Sequence, residues 1–577
     1  MCGIAGTLNL PGVTPRLLES LAHRGPDRSR HHEQGVASGI GAARLRITGG
    51  PQGDMPLASS SGRWLLVLNG EVFNHRELPG GPGPSDVSRL PDLLESEGVA
   101  ALSRIRGPFA LAALDLVEGA LLIARDESGV RPLFFHQDGE RVAVASEIGA
   151  LLDHVAGDAR DDSCWDHLLA FHFWPPGLTP YREIRSLRPG TWMRFQRAGG
   201  RLRTSEGGFR CREREEDPAL ALERAFDLQA PCRVPVGVTL SGGLDSSAVA
   251  ALLCRRGQAP AVAAVGFFPE ASDAFDERPH ARRVARDLGL PLMEVPITAA
   301  DYLEVWPSLL RALGGPLAGP GGPSQWIVAR ALAAEGVKVV FSGLGGDELF
   351  GGYERHRLLL QSDLGLPVRA APGYERLAAS FASHGLEGML FRGREFLPFL
   401  ESDRRRGVLS AAAALPPPGA LLAERVIRWE AEHILPGLLD VEDRTLAAFG
   451  MEGRVPLLDP VLKEAALAVP LKEKSPPEEP RRLFRRLVGK QLPPGALARR
   501  DKMGFPVPLE RFFASAFREV LCDARMLSIL EDLGFRPEIT RAVREGGGLS
   551  PRGRAFLLAA ALSLETERAR RGEVLAP

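Results

Sequence analysis

Pro235-Val236-Gly237-Val238-Thr239-Leu240-Ser241-Gly242-Gly243-Leu244-Asp245-Ser246-Ser247 is a short apolar run that breaks into a turn of glycine and serine. Residues 235–240 read as a strand, 241–247 as a turn and 247–255, rich in Ala and Leu, as a helix. Small residues at such a turn let the backbone approach phosphate oxygens. Hydroxyls and the N–H groups of a helix N-terminus then donate to them. No Gly-Lys-Ser/Thr closes the loop, so it is not a Walker sequence. Outward from it the pattern alternates: strand 262–268, helix 279–288, strand 337–341 and a second glycine-rich turn from Ser342. Alternation of this kind predicts a parallel α/β sheet. From about residue 355 the pattern is mostly helical, broken by loops such as Pro416-Pro417-Pro418.

The N-terminal part reads differently. Short apolar runs at 64–68, 110–114, 121–124 and 142–145 suit strands buried on both faces, with a helix over 87–97. The charged, glycine-containing stretch 195–217 reads as a linker. At 577 residues, 44% hydrophobic and 25% charged, the chain is too long for one ordinary core. Its formal charge of -1 gives no basic bias toward nucleic acid or an anionic membrane surface. No apolar run is long enough for a membrane span, and no signal-peptide pattern opens the chain, so a cytoplasmic location is expected. Cys2, Cys164, Cys211, Cys232, Cys254 and Cys522 form no CxxC pair, and the His residues show no zinc-ligand spacing. Five of the cysteines read as buried thiols. Cys2 is different. Removal of Met1 would give it both a thiol and a free α-amine, and an amine titrating near ~8 can take the thiol proton.

His23-Arg24-Gly25-Pro26-Asp27, Arg44-Leu45-Arg46-Ile47, Asn69-Gly70-Glu71-Val72-Phe73-Asn74-His75 and Ser85-Asp86 follow Cys2-Gly3-Ile4-Ala5-Gly6 in order. Together with Gly107-Pro108-Phe109, Arg125-Asp126, Gly129-Val130-Arg131-Pro132 and Ala145-Ser146-Glu147, they resemble the class II glutamine amidotransferases, whose nucleophile is the N-terminal residue. The resemblance implies that Cys2 attacks the glutamine amide and that Asn69 and the Gly70 N–H form the oxyanion hole. Arg44 would hold the α-carboxylate of glutamine and Asp86 would accept from its α-ammonium, with Glu71 a further glutamine-binding residue. A surface ion pair for Arg44 and a helix N-cap for Asp86 are the competing structural readings. Arg24 and Asp27 read as an internal ion pair. Ser88 stands where that family usually has Glu.

Ser241–Ser247 looks like the pyrophosphate loop of enzymes that cleave ATP to AMP and pyrophosphate. Ser342-Gly343-Leu344-Gly345-Gly346-Asp347-Glu348-Leu349-Phe350-Gly351-Gly352-Tyr353 resembles the asparagine synthetase family, as do Asp443-Arg444, Glu452-Gly453-Arg454-Val455-Pro456 and the stretch 499–508 with Lys502, Gly504, Phe505 and Pro508. The implied fold is an αββα N-terminal-nucleophile sandwich over 1–205, then an ATP-pyrophosphatase domain over 206–577 with a parallel α/β sheet and a largely helical C-terminal part. Leu240, Ser241, Gly242, Gly243, Asp245, Ser246, Val265, Ser342 and Gly343 would bind ATP. Asp245 and Asp347 would hold Mg²⁺ on the pyrophosphate, because a hard cation takes carboxylate oxygens. Glu348 and Arg481 are further candidates on the synthetase side. The partners implied are glutamine, ATP and a carboxylate, with ammonia passing through an internal tunnel, and a homodimer is compatible with the pattern.

Three departures bear on the acceptor. Leu344 stands where the family has Glu, and Arg481 where it has a catalytic Lys. Residues 314–320 lack the usual acidic and polar groups and are expected to line the acceptor side. Aspartate leads as the acceptor. An ATP-dependent cyclase or ligase of the same fold, amidation of another carboxylate, and a glutamine-responsive regulatory protein are the alternatives.

Overall fold

The computed structural model describes residues 1–34, 38–198, 201–271, 275–316, 320–499, 507–514, 516–545 and 547–570. Its first two sheets each have six strands. Gly3–Leu8 lies inside the first, antiparallel to Ser38–Arg44 on one side and Arg141–Ala145 on the other. The second carries Trp64–Gly70, Phe109–Asp115 and Ala120–Arg125 side by side. Every residue of Phe109–Asp115 and of Ala120–Arg125 is buried, which is why these runs are continuously apolar instead of alternating. Ile4, Leu8, Ile40 and Ala42 of the first sheet share one core with Leu66, Leu68, Leu111 and Ile123 of the second. The helices Val13–Ser20 and Ile148–His154 pack with Ala5 and Ala145 on the other face of the first sheet. Leu90–Glu97 packs on the second beside Trp64–Gly70. The order is therefore helix, sheet, sheet, helix.

Two readings of this half need correction. The stretch taken as a linker begins with a hairpin: Thr191–Ala198 pairs with Ala120–Arg125 and with Arg201–Gly208, which forms the sheet edge. Arg201–Gly208 is mostly exposed, so its polar sequence imitates a linker. Only 209–217 connects the halves, while Gly199 and Gly200 lie outside the described residues. The helix expected from residue 87 begins at Leu90, because Asp86 is bound elsewhere.

The third sheet is wholly parallel, in the spatial order Leu292–Pro296, Val262–Phe267, Val236–Thr239, Val339–Phe341, Glu452–Arg454. The strand order reverses between Val236–Thr239 and Val339–Phe341, and ligand crevices of open α/β sheets form at the carboxyl ends of strands flanking such a reversal. Ser241 and Ser342 directly follow those two ends. Glu452–Arg454, a glycine between two charged residues, is a strand that the apolar pattern does not announce.

The helix Leu435–Ala447 joins the halves. Its Asp443 accepts from Arg24 Nη2 at 2.7 Å and from Arg131 Nη1 at 3.1 Å, and Asp440 accepts from Arg125 Nη2 at 3.0 Å. Arg106 forks onto Asp459, and Arg454 reaches Glu71. These side chains are buried, so each charge depends on its partner. Asp443→Ala takes from Arg24 and Arg131 the buried carboxylate they share, leaving Glu147 with Arg24 and Glu452, at 3.7 Å, with Arg131. It is expected to cost about 3–5 kcal/mol in denaturant unfolding, as for other broken buried pairs. A loss below ~1 kcal/mol would mean that these pairs do not hold the halves together.

Candidate active site

The strand Gly3–Leu8 delivers Cys2 to the end of the first sheet, and Trp64–Gly70 delivers Asn69 and Gly70 from the second. The Cys2 N–H donates to Asn69 Oδ1 at 3.0 Å, while Asn69 Nδ2 is buried with no partner among the described residues. Such an unmet donor beside a thiol is costly unless something accepts from it. Gly70 has φ 129°, and a Cβ there would stand 2.0 Å from the Pro108 carbonyl oxygen, so only glycine fits. Burial pushes the Cys2 thiol up; the positive chain terminus, the Leu45 N–H and the Arg44 charge pull the other way. Burial also draws the Met1 amine down to about 6, against the opposing pull of Glu452.

Thr48 brings Arg44 and Asp86 together. Its carbonyl accepts from Arg44 Nη2 at 2.6 Å, and its hydroxyl donates to Asp86 Oδ1 at 3.0 Å. Arg44 also pairs with Asp54 at 2.7 Å, and Asp86 Oδ2 accepts from the Val72 N–H at 3.0 Å. Asp86 thus caps no helix, and Arg44 is buried, so neither competing structural reading fits. Glu71 turns one oxygen to Arg454 and leaves Oε1 without a partner among the described residues. The expected Arg24–Asp27 pair does not form. Arg24 Nη1 donates to Glu147 at 2.8 Å and its Nε to the Cys2 carbonyl at 3.2 Å, while Asp27 accepts from the Arg46 N–H. Burial alone would raise Glu147, but His23 and Arg24 outweigh it and hold that carboxyl at about 2.

At the crevice of the third sheet lies a cavity of about 330 Å³. Leu240, Ser241, Asp245, Ser246, Val265, Ser342, Gly343, Asp347 and Glu348 all line it. Gly242 and Gly243 shape the loop: Gly242 has φ 70° and passes close to His280, and the Gly243 N–H donates to Ser241 Oγ at 3.2 Å. Arg481, φ 60°, spans the two acidic residues: Nη1 donates to Asp245 Oδ2 at 2.8 Å and to Asp347 Oδ1 at 2.9 Å, and Nη2 to Asp245 Oδ1. Burial pushes Glu348 up to about 7, with Asp347 adding to the shift and the Tyr353 hydroxyl opposing it. Leu344 also faces the cavity. Gly314 and Gly315 do not; they pack against Ile148, Trp174 and Pro180 of the N-terminal half, and 317–319 lie outside the described residues. Lys502, Gly504 and Phe505 lie outside them too.

One lining contribution escaped the sequence: the helix Leu435–Ala447 presents Leu438, Glu442, Thr445 and Leu446 to the cavity. Arg499, from the stretch 499–508, donates from Nη1 to the Ser241 carbonyl at 2.9 Å. The spacing 438, 442, 445 was the available signal, since it marks one face of a helix. A Cβ on Gly346 would stand 2.0 Å from Asp245 Oδ1. Gly346→Ala is therefore expected to weaken ATP binding at least ~10-fold, the order of one lost charge-assisted hydrogen bond, without changing glutamine hydrolysis. Nucleotide titration of the variant beside a glutaminase assay checks both halves.

The glutamine amidotransferase domain family matches residues 1–205, and the asparagine synthase family matches residues 219–543. Asparagine synthetase [glutamine-hydrolyzing] 1 of Bacillus subtilis is 26% identical over 580 residues, covering 90% of this chain and 89% of its own. An asparagine synthetase of Sandersonia aurantiaca is 30% identical, covering 69% of this chain and 77% of its own. Amidase chry2 of Gibberella zeae is 28% identical over 62% of this chain and 60% of its own. A solved glutamine phosphoribosylpyrophosphate amidotransferase from B. subtilis aligns over 51% of this chain and 65% of its own at 16% identity and a TM-score of 0.26, too distant to carry an argument. With both halves matched and the relatives aligned along most of its length, the chain belongs to the asparagine synthase family of glutamine-using carbon–nitrogen ligases.

Proposed function

We propose that this ligase releases ammonia from glutamine at Cys2 and uses ATP to adenylate aspartate, giving asparagine, AMP and pyrophosphate. The observation that carries the reading is Asn69. One of its side-chain atoms engages the Cys2 nitrogen, and the other is a buried donor with no acceptor among the described residues. That is what a tetrahedral oxyanion formed by thiol attack requires. Once Met1 is removed, the Cys2 nitrogen becomes the α-amine that takes the thiol proton. The Gly70 N–H is the second oxyanion donor. Arg44 holds the glutamine carboxylate, and Asp86, with the free oxygen of Glu71, receives its ammonium end. The unit that does this spans 1–205 extended through the hairpin to Gly208, and the remainder of the chain is the synthetase unit.

In the cavity, Ser241, Gly242, Gly243 and Ser246 cradle the phosphates, and Leu240, Val265, Ser342 and Gly343 border the nucleoside. Asp245 and Asp347 would hold Mg²⁺. Two carboxylates facing one small space suit a cation that completes its oxygen shell from phosphate and water. The ion would neutralise charge on the departing pyrophosphate. Arg481, which already neutralises both carboxylates, is placed to turn to that pyrophosphate, and as an arginine it stays charged throughout. No helix of the described residues is long and apolar enough to cross a membrane, and a cytoplasmic setting suits the substrates.

The apolar lining, Leu344 with Val328, Leu332 and Leu438, favours one second reading: amidation of a carboxylate less polar than aspartate. Incubation with glutamine, Mg-ATP and aspartate should yield glutamate, pyrophosphate and asparagine. Pyrophosphate only with other carboxylates would select the second reading, and none with any carboxylate would sink both. Cys2→Ala should lose glutamine use yet keep synthesis from ammonium, and Asn69→Ala should lower glutamine hydrolysis about 10²–10³-fold. Continued glutamine use by the Cys2 variant would remove Cys2 from its role.

A further inference from the structure

The helix Leu435–Ala447 is a wall with two working faces. Leu438, Glu442, Thr445 and Leu446 line the nucleotide cavity. Asp440 and Asp443 hold Arg125, Arg24 and Arg131 of the glutaminase half. Positions 438, 442 and 445 share one side of a helix of about 3.6 residues per turn, and 440 and 443 fall away from it. The route from Cys2 to this wall is short. Asp443 accepts from Arg24, whose Nε donates to the Cys2 carbonyl, and Glu442 is the next residue along the helix. Glu442 is therefore the ionisable side chain that this helix, tied to Cys2 through Asp443 and Arg24, presents to the nucleotide cavity.

Its surroundings suit proton transfer. Burial pushes the Glu442 carboxyl up to about 7, while the facing Ser342 hydroxyl and the Arg131 charge pull it down and Asp443 raises it. Asp245, Glu277, Asp347 and Glu348 line the same cavity, but Arg481 holds Asp245 and Asp347, Arg499 holds Glu277, and the Tyr353 hydroxyl holds Glu348. Leu344, on the loop after Val339–Phe341, carries no group able to accept a proton.

We propose that Glu442 is the proton acceptor for the nitrogen that attacks the activated acyl group. The inference rests on the adenylating, ammonia-using reading given above. The ammonia lone pair forms the C–N bond to the acyl carbon. The C–O bond to AMP breaks, its electron pair leaves on the AMP phosphate, and one N–H proton passes to the Glu442 carboxylate. A singly charged acyl-adenylate, neutral ammonia and an ionised Glu442 enter the step; a neutral amide, doubly charged AMP and a protonated Glu442 leave it.

Glu442→Gln keeps the shape and removes the base, and Glu442→Asp keeps the base on a shorter arm. With glutamine, Mg-ATP and aspartate, E442Q should match the wild type within ~2-fold in glutamate release and in the first-turnover burst of pyrophosphate. Its amide yield per glutamate should fall ~100-fold or more, the usual worth of a positioned base, and E442D should recover at least ~10-fold of that loss. In the wild type, amide per glutamate should decline as pH falls through about 7, because the carboxyl then becomes protonated, and E442Q should lack this limb. An E442Q amide-to-glutamate ratio within ~3-fold of wild type, or a pyrophosphate burst that falls in step with the amide, overturns the assignment. A wild type that forms no amide and no pyrophosphate overturns the adenylating reading instead.

Discussion

Asp443 is the constraint on which the rest of the molecule depends. One carboxylate meets two fully buried guanidiniums, Arg24 and Arg131, that come from the other half of the chain. A buried charge without a partner costs several kcal/mol, so these three side chains admit only a narrow range of arrangements between the halves. Arg24 extends the constraint to Cys2, because it donates to the Cys2 carbonyl while gripping Glu147. The two sites are thus related by direct contacts: sheet one, Cys2, Arg24, Asp443, helix Leu435–Ala447, cavity. An enzyme that passes ammonia between sites needs them in fixed register, and ion pairs supply this with a directionality that apolar packing lacks.

The nucleotide end repeats the device with a different geometry. Arg481 draws Asp245, 236 residues away, and Asp347, 134 residues away, to one point. Two carboxylates facing one cavity would repel each other if left alone. The guanidinium offsets that repulsion and holds the loops after Val236–Thr239 and Val339–Phe341 together. The close approach of Gly346 to Asp245 and of Gly352 to Asp347 follows from the same crowding.

Much of this was legible in the residues because it is local. A tight turn from strand to helix needs small residues and a helix start within a few positions, and Ser241 to Ser247 carry both. Buried strands need continuous apolar runs, and Phe109–Asp115 and Ala120–Arg125 supply them. What escaped is non-local or polar. Arg24 and Asp443 lie 419 residues apart, so nothing near Arg24 names its partner, and Asp27 was the nearest but wrong choice. The hairpin ending in Arg201–Gly208 was hidden because an exposed edge strand has no buried face to imprint on its sequence. Glu452–Arg454 was hidden for the opposite reason: it is buried, yet its charged side chains are satisfied by ion pairs instead of apolar contact.

The departure at Leu344 acquires a different meaning once the cavity is seen whole. From sequence it reads as the loss of an acidic group from the loop that follows Val339–Phe341. In the fold, Glu442 enters the same cavity from the helix Leu435–Ala447, and Leu344 packs beside the apolar residues of the sheet and its helices. A further buried carboxyl at position 344 would add its repulsion to that among Asp347, Glu348 and Glu442, which already share the cavity, and make each harder to ionise. Leucine there avoids that addition. The acidic group proposed for the amide-forming step thus enters from the helix Leu435–Ala447 and not from residue 344.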